Sequence, residues 1–428
     1  MFYEDRWLAI RDEINAKGAD GNAVVEALQD YYSVFSDKAL IWLGSLFDPD
    51  IGGFYYSESA RDNEFINYNG VNYPLLPDIE STSQATNFLH RNEIFKDWMD
   101  FPRWMIDKMA KFICERQDPE TGLFYHPQWP KELTDSKPSR RGRDLEWAIS
   151  MAEKYQFKLP YPTAYERLKA NAENDKEQAQ KLPEYLLSED KFLAYLKSLD
   201  WVEKAYHSGN QVAAQAAMIN AAGLGKVAVD FLNSIQNPKT GTWGKFEDGF
   251  GAINGFLKIS AVYRYANLPI PNADKAIKVA FECATEPTEK ASSTCFQYNV
   301  WFSISNILLS MRKFCGEEGK RLADEAIVYH LKNCIEPIRS TKEKALVFRK
   351  EAGCFSMAPN ESSGTSQGMP VAIFHTNEGD INANGICSSG TARLLFESLG
   401  IEKHWVPIFS PNGREVFMSA VRLPKENI

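Results

Sequence analysis

The sequence holds little of what redox and metal chemistry needs. Of 428 residues only six are histidine and seven are cysteine. The cysteines (Cys114, Cys283, Cys295, Cys315, Cys334, Cys354 and Cys387) are odd in number and form no C-x-x-C. Neither a disulfide framework nor a zinc site is indicated. They read as small buried hydrophobes in a reducing compartment. No apolar run reaches the roughly 18 residues that span a bilayer. The opening MFYEDRWLAI has acids where a signal peptide is basic. A soluble, cytoplasmic protein is expected. Gly-rich phosphate loops, G-x-S-x-G and H-E-x-x-H are absent, so no cofactor and no metal are expected. Positive charge is in deficit: 48 Lys and Arg face 57 Asp and Glu, a net charge of −9. That balance disfavours nucleic acid or an anionic membrane as partner. A small-molecule or oligosaccharide substrate remains.

What is present is a globular composition, 44% hydrophobic and 25% charged, and an internal repeat. Residues 42–56 (WLGSLFDPDIGGFYY), 112–125 (FICERQDPETGLFY) and 231–244 (FLNSIQNPKTGTWG) share one pattern. An apolar helical segment runs into Asp-Pro or Asn-Pro, then glycine, then an aromatic. Pro49, Pro119 and Pro238 align, as do Gly52, Gly122 and Gly241 and the aromatics Phe54, Phe124 and Trp243. Proline stops a helix and glycine permits the positive φ of a turn. Gly353-Cys354-Phe355 reads as a degraded fourth copy. Between the turns apolar residues recur every three or four positions, over 101–116, 210–236, 251–266 and 296–315. Alternating runs are short, at 353–358 and 415–422. One unmarked hairpin in the longer interval leaves a period of about 60 residues, two helices plus loops. Residues 167–187, strongly charged, read as a solvated surface helix. An all-α chain of about six helical hairpins is expected, as one domain over 1–428.

The turn Q-D/N-P-x-T-G-x-F/W between helices resembles the repeat turns of (α/α) toroid proteins. These include six-hairpin glycosidases and polysaccharide lyases, and the terpenoid cyclase and prenyltransferase clan. The resemblance implies a toroid whose inner helices surround a cavity; fold alone does not fix the chemistry.

Four constellations could carry that chemistry. Asp78-Ile79-Glu80-Ser81-Thr82 opens a helix, with Asp78 at the N-cap and Glu80 in the first turn. Both are then cap and dipole partners, or carboxylates at the cavity mouth. The segment also resembles the D-x-D-D-T-A motif of class II terpene cyclases, with Ser81 and Ser83 as departures. That resemblance implies a general-acid role for Glu80. Ser139-Arg140-Arg141-Gly142-Arg143-Asp144 precedes a helix. Its arginines suit bidentate capture of a carboxylate, with Asp144 as acid or base and Trp147 as a sugar platform. The bland alternative is a basic surface loop paired with Asp144. Tyr206-His207-Ser208-Gly209-Asn210 resembles the Tyr, His and Asn groups of toroid lyases, which implies that the amide neutralises a uronate while His or Tyr removes the α-proton. The alternative is an N-capping Asn beside an exposed His. The long polar stretch 361–384 holds His375, Glu378, Asp380 and Asn382 and reads as a functional loop. The aromatics Tyr125, Trp243 and Phe246 follow the turns and are either core or sugar-stacking surfaces.

The reading that results is a carbohydrate-active enzyme cleaving a glycosidic bond of an oligosaccharide, with uronate-bearing chains among the candidate substrates. Hydrolysis stands slightly ahead of elimination. Hydrolysis needs two carboxylates with separated pKa values, from Asp78, Glu80, Asp144, Glu378 and Asp380. Elimination needs Asn210, His207 and Tyr206 near an arginine such as Arg141 or Arg143. A class II cyclase-like enzyme and a non-catalytic glycan-binding toroid are the alternatives.

Overall fold

The computed structural model describes residues 2–167, 170, 183–245 and 249–425. Most of the charged stretch at 167–187, and Phe246, lie outside the described residues.

The described chain is mostly helical. In order, the helices are α1 (Glu4–Ala16), α2 (Gly21–Tyr32), α3 (Lys38–Ser45), α4 (Glu58–Asp62), α5 (Ile79–Arg91), α6 (Arg103–Cys114), α7 (Lys131–Asp135), α8 (Pro138–Lys154), α9 (Glu189–Ser198) and α10 (Ala205–Ala213). They continue as α11 (Ala216–Ala221), α12 (Gly225–Ile235), α13 (Gly249–Ala266), α14 (Ala273–Cys283), α15 (Cys295–Phe314), α16 (Gly316–Asn333), α17 (Ile335–Phe348), α18 (Ile381–Gly385), α19 (Thr391–Ser398) and α20 (Gly413–Ala420). A π-helical segment kinked at Ser388 joins α18 to α19. Among the described residues the strands form three small antiparallel pairs: β1 (Phe47–Asp48) with β2 (Gly53–Phe54), β3 (Phe65–Tyr68) with β4 (Val71–Pro74), and β5 (Thr365–Ser366) with β6 (Met369–Pro370).

The repeat turns are built alike. Asp48 Oδ1 accepts the backbone N–H of Asp50 and Ile51, and Asp118 Oδ1 those of Glu120 and Thr121. Asn237 Oδ1 accepts that of Lys239. The aligned glycine then donates its N–H to the carbonyl of the Asp or Asn, at 2.8 Å for Gly52, 2.9 Å for Gly122 and 2.8 Å for Gly241. All three glycines have φ between +69° and +89°. A Cβ on any of them would stand within 2.4 Å of a backbone oxygen, that of Lys108, Pro162 or Asn272. The turn thus needs glycine twice, for its backbone and for its fit.

The packing order of the helices frames the centre of the molecule. α5 packs on α8, α8 on α10, α10 on α13, α13 on α15, α15 on α19, and α18 back on α5. α13 and α15 bury residues on most of their faces, α15 including the polar Gln297, Asn299, Ser303, Asn306 and Ser310. The main core runs from Trp7 in α1 to Val421 after α20.

Four local expectations are corrected. The apolar pattern of 210–236 is three helices, broken after Ala213 and at Gly223, whose φ is +76°. Of the alternating run 415–422, residues 415–420 lie in helix α20, where Gly413 and Phe417, four apart, face inward. Residues 353–358 form no strand beyond two isolated bridges, Phe355 with Arg349 and Ala358 with Glu361. The arginine run is no loop: Pro138 occupies the first turn of α8, and Arg140, Arg141 and Arg143 belong to the helix.

Candidate functional site

Where α5 begins against α8, six charged side chains meet, five of them buried and Arg143 partly exposed. Asp78 caps α5, accepting the Ser81 N–H at 2.9 Å. Its Oδ1 also accepts Arg140 Nη2 at 2.8 Å. Arg140 Nε donates to Asp144 Oδ2, one helical turn on, at 2.8 Å. Its Nη1 lies 3.4 Å from Glu80 Oε2. Arg143 Nη2 meets Glu80 Oε1 at 2.6 Å, and Gln84 Nε2 donates to the same oxygen at 3.0 Å. Trp129 stacks against Arg140, 4.8 Å from its centroid. Arg116 is the sixth member, buried and resting on the Phe112 ring. Three guanidinium groups thus balance three carboxylates, as burial of charge demands.

Burial alone would lower the pKa of Arg140, but Asp144, Asp78 and Glu80 outweigh it and hold it above the ordinary value. Burial likewise opposes ionisation of Asp144, and Arg140 followed by His126 wins, leaving that acid below its usual range. Burial brings Arg116 down to about 10. His126 Nε2 lies 3.3 Å from Asp144 Oδ2, yet burial keeps the imidazole pKa below its usual value. We read it as a neutral ring, not an ion-pair member.

On the other side of Arg143 a cavity of about 420 Å³ opens among α5, α8, α10, α13, α15 and α18. Its wall carries four cations, Arg91, Arg143, Lys258 and Arg264, against one carboxylate, Glu146. Glu146 already accepts the Tyr265 hydroxyl. Aromatic rings (Trp147, Tyr206, Tyr265, Tyr298) and amides (Asn87, Asn210, Asn299, Gln367, Asn382) complete it. Asn210 Nδ2 lies 3.3 Å from both Ser139 Oγ and Gln367 Oε1. Gln367 sits at φ +51° in the β5–β6 turn, which brings that hairpin to the cavity. Burial pushes the Tyr206 phenol up, and also the Cys295 thiol. Burial, then Arg143, draws the Lys258 ammonium down to about 8. Its Nζ lies 5.2 Å from the centre of the Tyr206 ring.

Of the residues singled out from sequence, Tyr206, Asn210, Arg143, Trp147 and Asn382 share this cavity. Asp78, Glu80 and Asp144 come together, but in the ion network behind it. Glu378 and Asp380 neither line the cavity nor pair with the guanidinium groups, and are occupied structurally. Glu378 accepts Ser57 Oγ at 2.8 Å, the Ser59 N–H at 2.7 Å and the Ser59 hydroxyl, so it pins the start of α4. Asp380 caps α18 through the Ala383 N–H at 2.7 Å, and accepts the Met357 N–H and the Tyr56 hydroxyl. Burial raises its carboxyl to about 6. His207 is exposed and turned to Gln211 at 2.8 Å. His375 is exposed beside Glu361 at 2.7 Å. Arg141 and Tyr125 both reach Asp135 at the surface. Trp243 is core: its Nε1 donates to the Leu232 carbonyl at 2.9 Å. Among the described residues no three His, Cys, Asp or Glu stand where they could hold a metal ion.

The sequence reading missed Lys258, Arg91 and Arg264. Lys258 had a signal: it is the one lysine in the otherwise apolar centre of α13, GFLKISAV. Compared with protein families, curated proteins and solved structures, the chain matches none.

Proposed function

We propose that the chain is a single (α/α) toroid of six hairpins, and that its central cavity binds an acidic sugar and cleaves the adjoining glycosidic bond by β-elimination. The packing order α5–α8–α10–α13–α15–α19, with α18 returning to α5, supports the inner ring. The turns support the outer one. Gly52, after α3, abuts Lys108 of α6; Gly241, after α12, abuts Asn272 at the start of α14; Gly353, after α17, abuts Lys38 and Ala39 of α3.

One observation carries the chemistry: in a chain of net charge −9, the cavity wall sets four cations, of which Arg143 also meets Glu80, against one carboxylate that already accepts the Tyr265 hydroxyl. Such a wall favours an anion. Its amides and aromatic rings suit a polyhydroxylated ring. A uronate unites the two. Elimination then overtakes hydrolysis, because hydrolysis needs two carboxylates flanking the bond. The other candidates are held elsewhere, Asp78, Glu80 and Asp144 by guanidinium groups, Glu378 and Asp380 by N–H and O–H donors. Elimination needs the sugar carboxylate neutralised, which Arg143 and Asn210 can do from adjacent helices. The cationic wall also argues against the cyclase reading, since it would repel a carbocation. Glu80, the residue a cyclase would use, has its oxygens taken by Arg140, Arg143 and Gln84 and does not line the cavity.

No helix among the described residues is long and apolar enough to cross a membrane, and no disulfide joins the cysteines. A reducing, cytoplasmic setting belongs to this reading.

The test is titration calorimetry with uronate oligosaccharides and their carboxyl-reduced counterparts, alongside ultraviolet absorbance of the products. Binding of the acid form only, with a rising absorbance from an unsaturated uronate, is expected. Binding without absorbance change would leave a glycan-binding toroid. Equal binding of both forms would remove the charge argument.

A further inference from the structure

Resting on the β-elimination reading, we propose that Lys258 is the base of the reaction and Tyr206 the acid. Elimination needs both, and the residues that sequence suggests as base do not serve. His207 points away from the cavity and is exposed. Tyr206 lines the cavity, but burial strengthens its hold on its proton. A phenol in that state gives a proton to a stronger base, such as a departing alkoxide. It does not take one from carbon at neutral pH.

Lys258 has what the others lack. It lines the cavity from α13, one helix away from Tyr206 on α10. Among the described residues no salt bridge or hydrogen bond fixes its ammonium; its near neighbour is the Tyr206 ring at 5.2 Å. Lys344, which is fully buried, is by contrast paired, with the Ala284 carbonyl and Ser340 Oγ; Lys258 is half-buried and faces the cavity unpaired. The nearby Arg143 guanidinium disfavours a second positive charge and draws the substrate carboxylate to the same corner. The ammonium pKa of about 8 leaves a useful fraction as free amine near neutrality.

The step balances without a co-reactant. The proton on the carbon α to the carboxylate passes to Lys258 Nζ. Its electron pair becomes the carbon–carbon double bond, and the bond from the β-carbon to the glycosidic oxygen breaks. That oxygen leaves with the bonding pair and takes the Tyr206 phenolic proton. The new ammonium then returns its proton to the phenolate through solvent. Arg143 and Asn210 stabilise the charge that builds on the carboxylate.

The experiment measures kcat and KM for wild-type protein, Lys258→Ala, Lys258→Met and Lys258→Arg on a uronate oligosaccharide. Circular dichroism confirms folding; methionine, similar in length and without charge, covers the case in which alanine collapses the wall. All three variants should lose at least about 100-fold in kcat. Small primary amines should restore part of the Lys258→Ala rate. Wild-type kcat/KM should rise with pH to a plateau above about 8. Folded variants that keep kcat within tenfold of wild type would overturn the role of Lys258 and leave the elimination reading standing. Wild-type protein that forms no unsaturated product from any uronate oligosaccharide would overturn both.

Discussion

Arg140 Nη2 lies 2.8 Å from Asp78 Oδ1, joining α8 to the cap of α5 across 62 residues of sequence. The same side chain holds Asp144 and faces Glu80, and none of it reaches solvent. This guanidinium organises the wall from which Arg143 enters the cavity. Its removal leaves three buried carboxylates with two cations, the buried Arg116 and the partly exposed Arg143. Arg140→Met should therefore cost about 3–5 kcal/mol, read from denaturant unfolding at neutral pH. A loss below about 1 kcal/mol would show that the network is not what fixes α5 against α8.

The turn glycines give a graded series. Gly70, in the β3–β4 turn, has φ +81° with nothing within 4 Å of an added Cβ. Gly70→Ala should cost only the left-handed backbone penalty, about 1–2 kcal/mol. Gly52→Ala, Gly122→Ala and Gly241→Ala add a clash with a backbone oxygen and should each cost clearly more. Equal losses at all four positions, by thermal or chemical unfolding, would deny that these turns dock on their neighbours.

Much of this fold was legible because its signals are local. The Asp-Pro or Asn-Pro, Gly, aromatic turn fixes its own hydrogen bonds, and the helical periods of 101–116, 251–266 and 296–315 survive almost unchanged as α6, α13 and α15. Asp78 as a cap was legible for the same reason. What failed depended on tertiary context. The run 415–422 alternates enough to suggest a strand, yet Gly413 and Phe417 bury a helical face. Three arginines within four residues suggest a solvated loop; only the juxtaposition of α5 and α8 makes Arg140 a buried keystone. The cavity was half legible. Tyr206, Asn210, Arg143, Trp147 and Asn382 meet there, but Arg91, Arg264 and Lys258 sit in ordinary helical patterns that no motif marks. Glu378 and Asp380 drew attention by composition, and their oxygens are spent on holding the chain.

Lys258 should leave a trace in stability. Its folded pKa of about 8 lies below the roughly 10.4 of an exposed lysine. Unfolding between those values takes up a proton, so this group's penalty is full below about pH 8 and fades as pH rises towards about 10. Lys258→Met removes the penalty. The variant should be more stable than wild type at pH 7, on the order of 1–3 kcal/mol, with the advantage shrinking by pH 10. An advantage that does not change with pH would mean that the lysine is not held in a charge-averse site.

Arg143→Lys keeps the charge opposite Glu80 but loses the planar fork. Affinity for a uronate ligand should fall about 10- to 100-fold, with little change in melting temperature. Calorimetry and thermal unfolding read the two effects separately. Unchanged affinity would return Arg143 to a purely structural role beside Glu80. A fall in affinity matched by a large fall in melting temperature would do the same.

The most direct test of the account is the mass balance of the products formed from a single defined uronate oligosaccharide. Elimination splits the substrate without water, so the masses of the two products should sum to that of the substrate, and one should carry an unsaturated uronate end. Hydrolysis adds one water across the pair. Products whose summed mass exceeds the substrate by one water would contradict an elimination site walled by Arg143, Lys258, Tyr206 and Asn210.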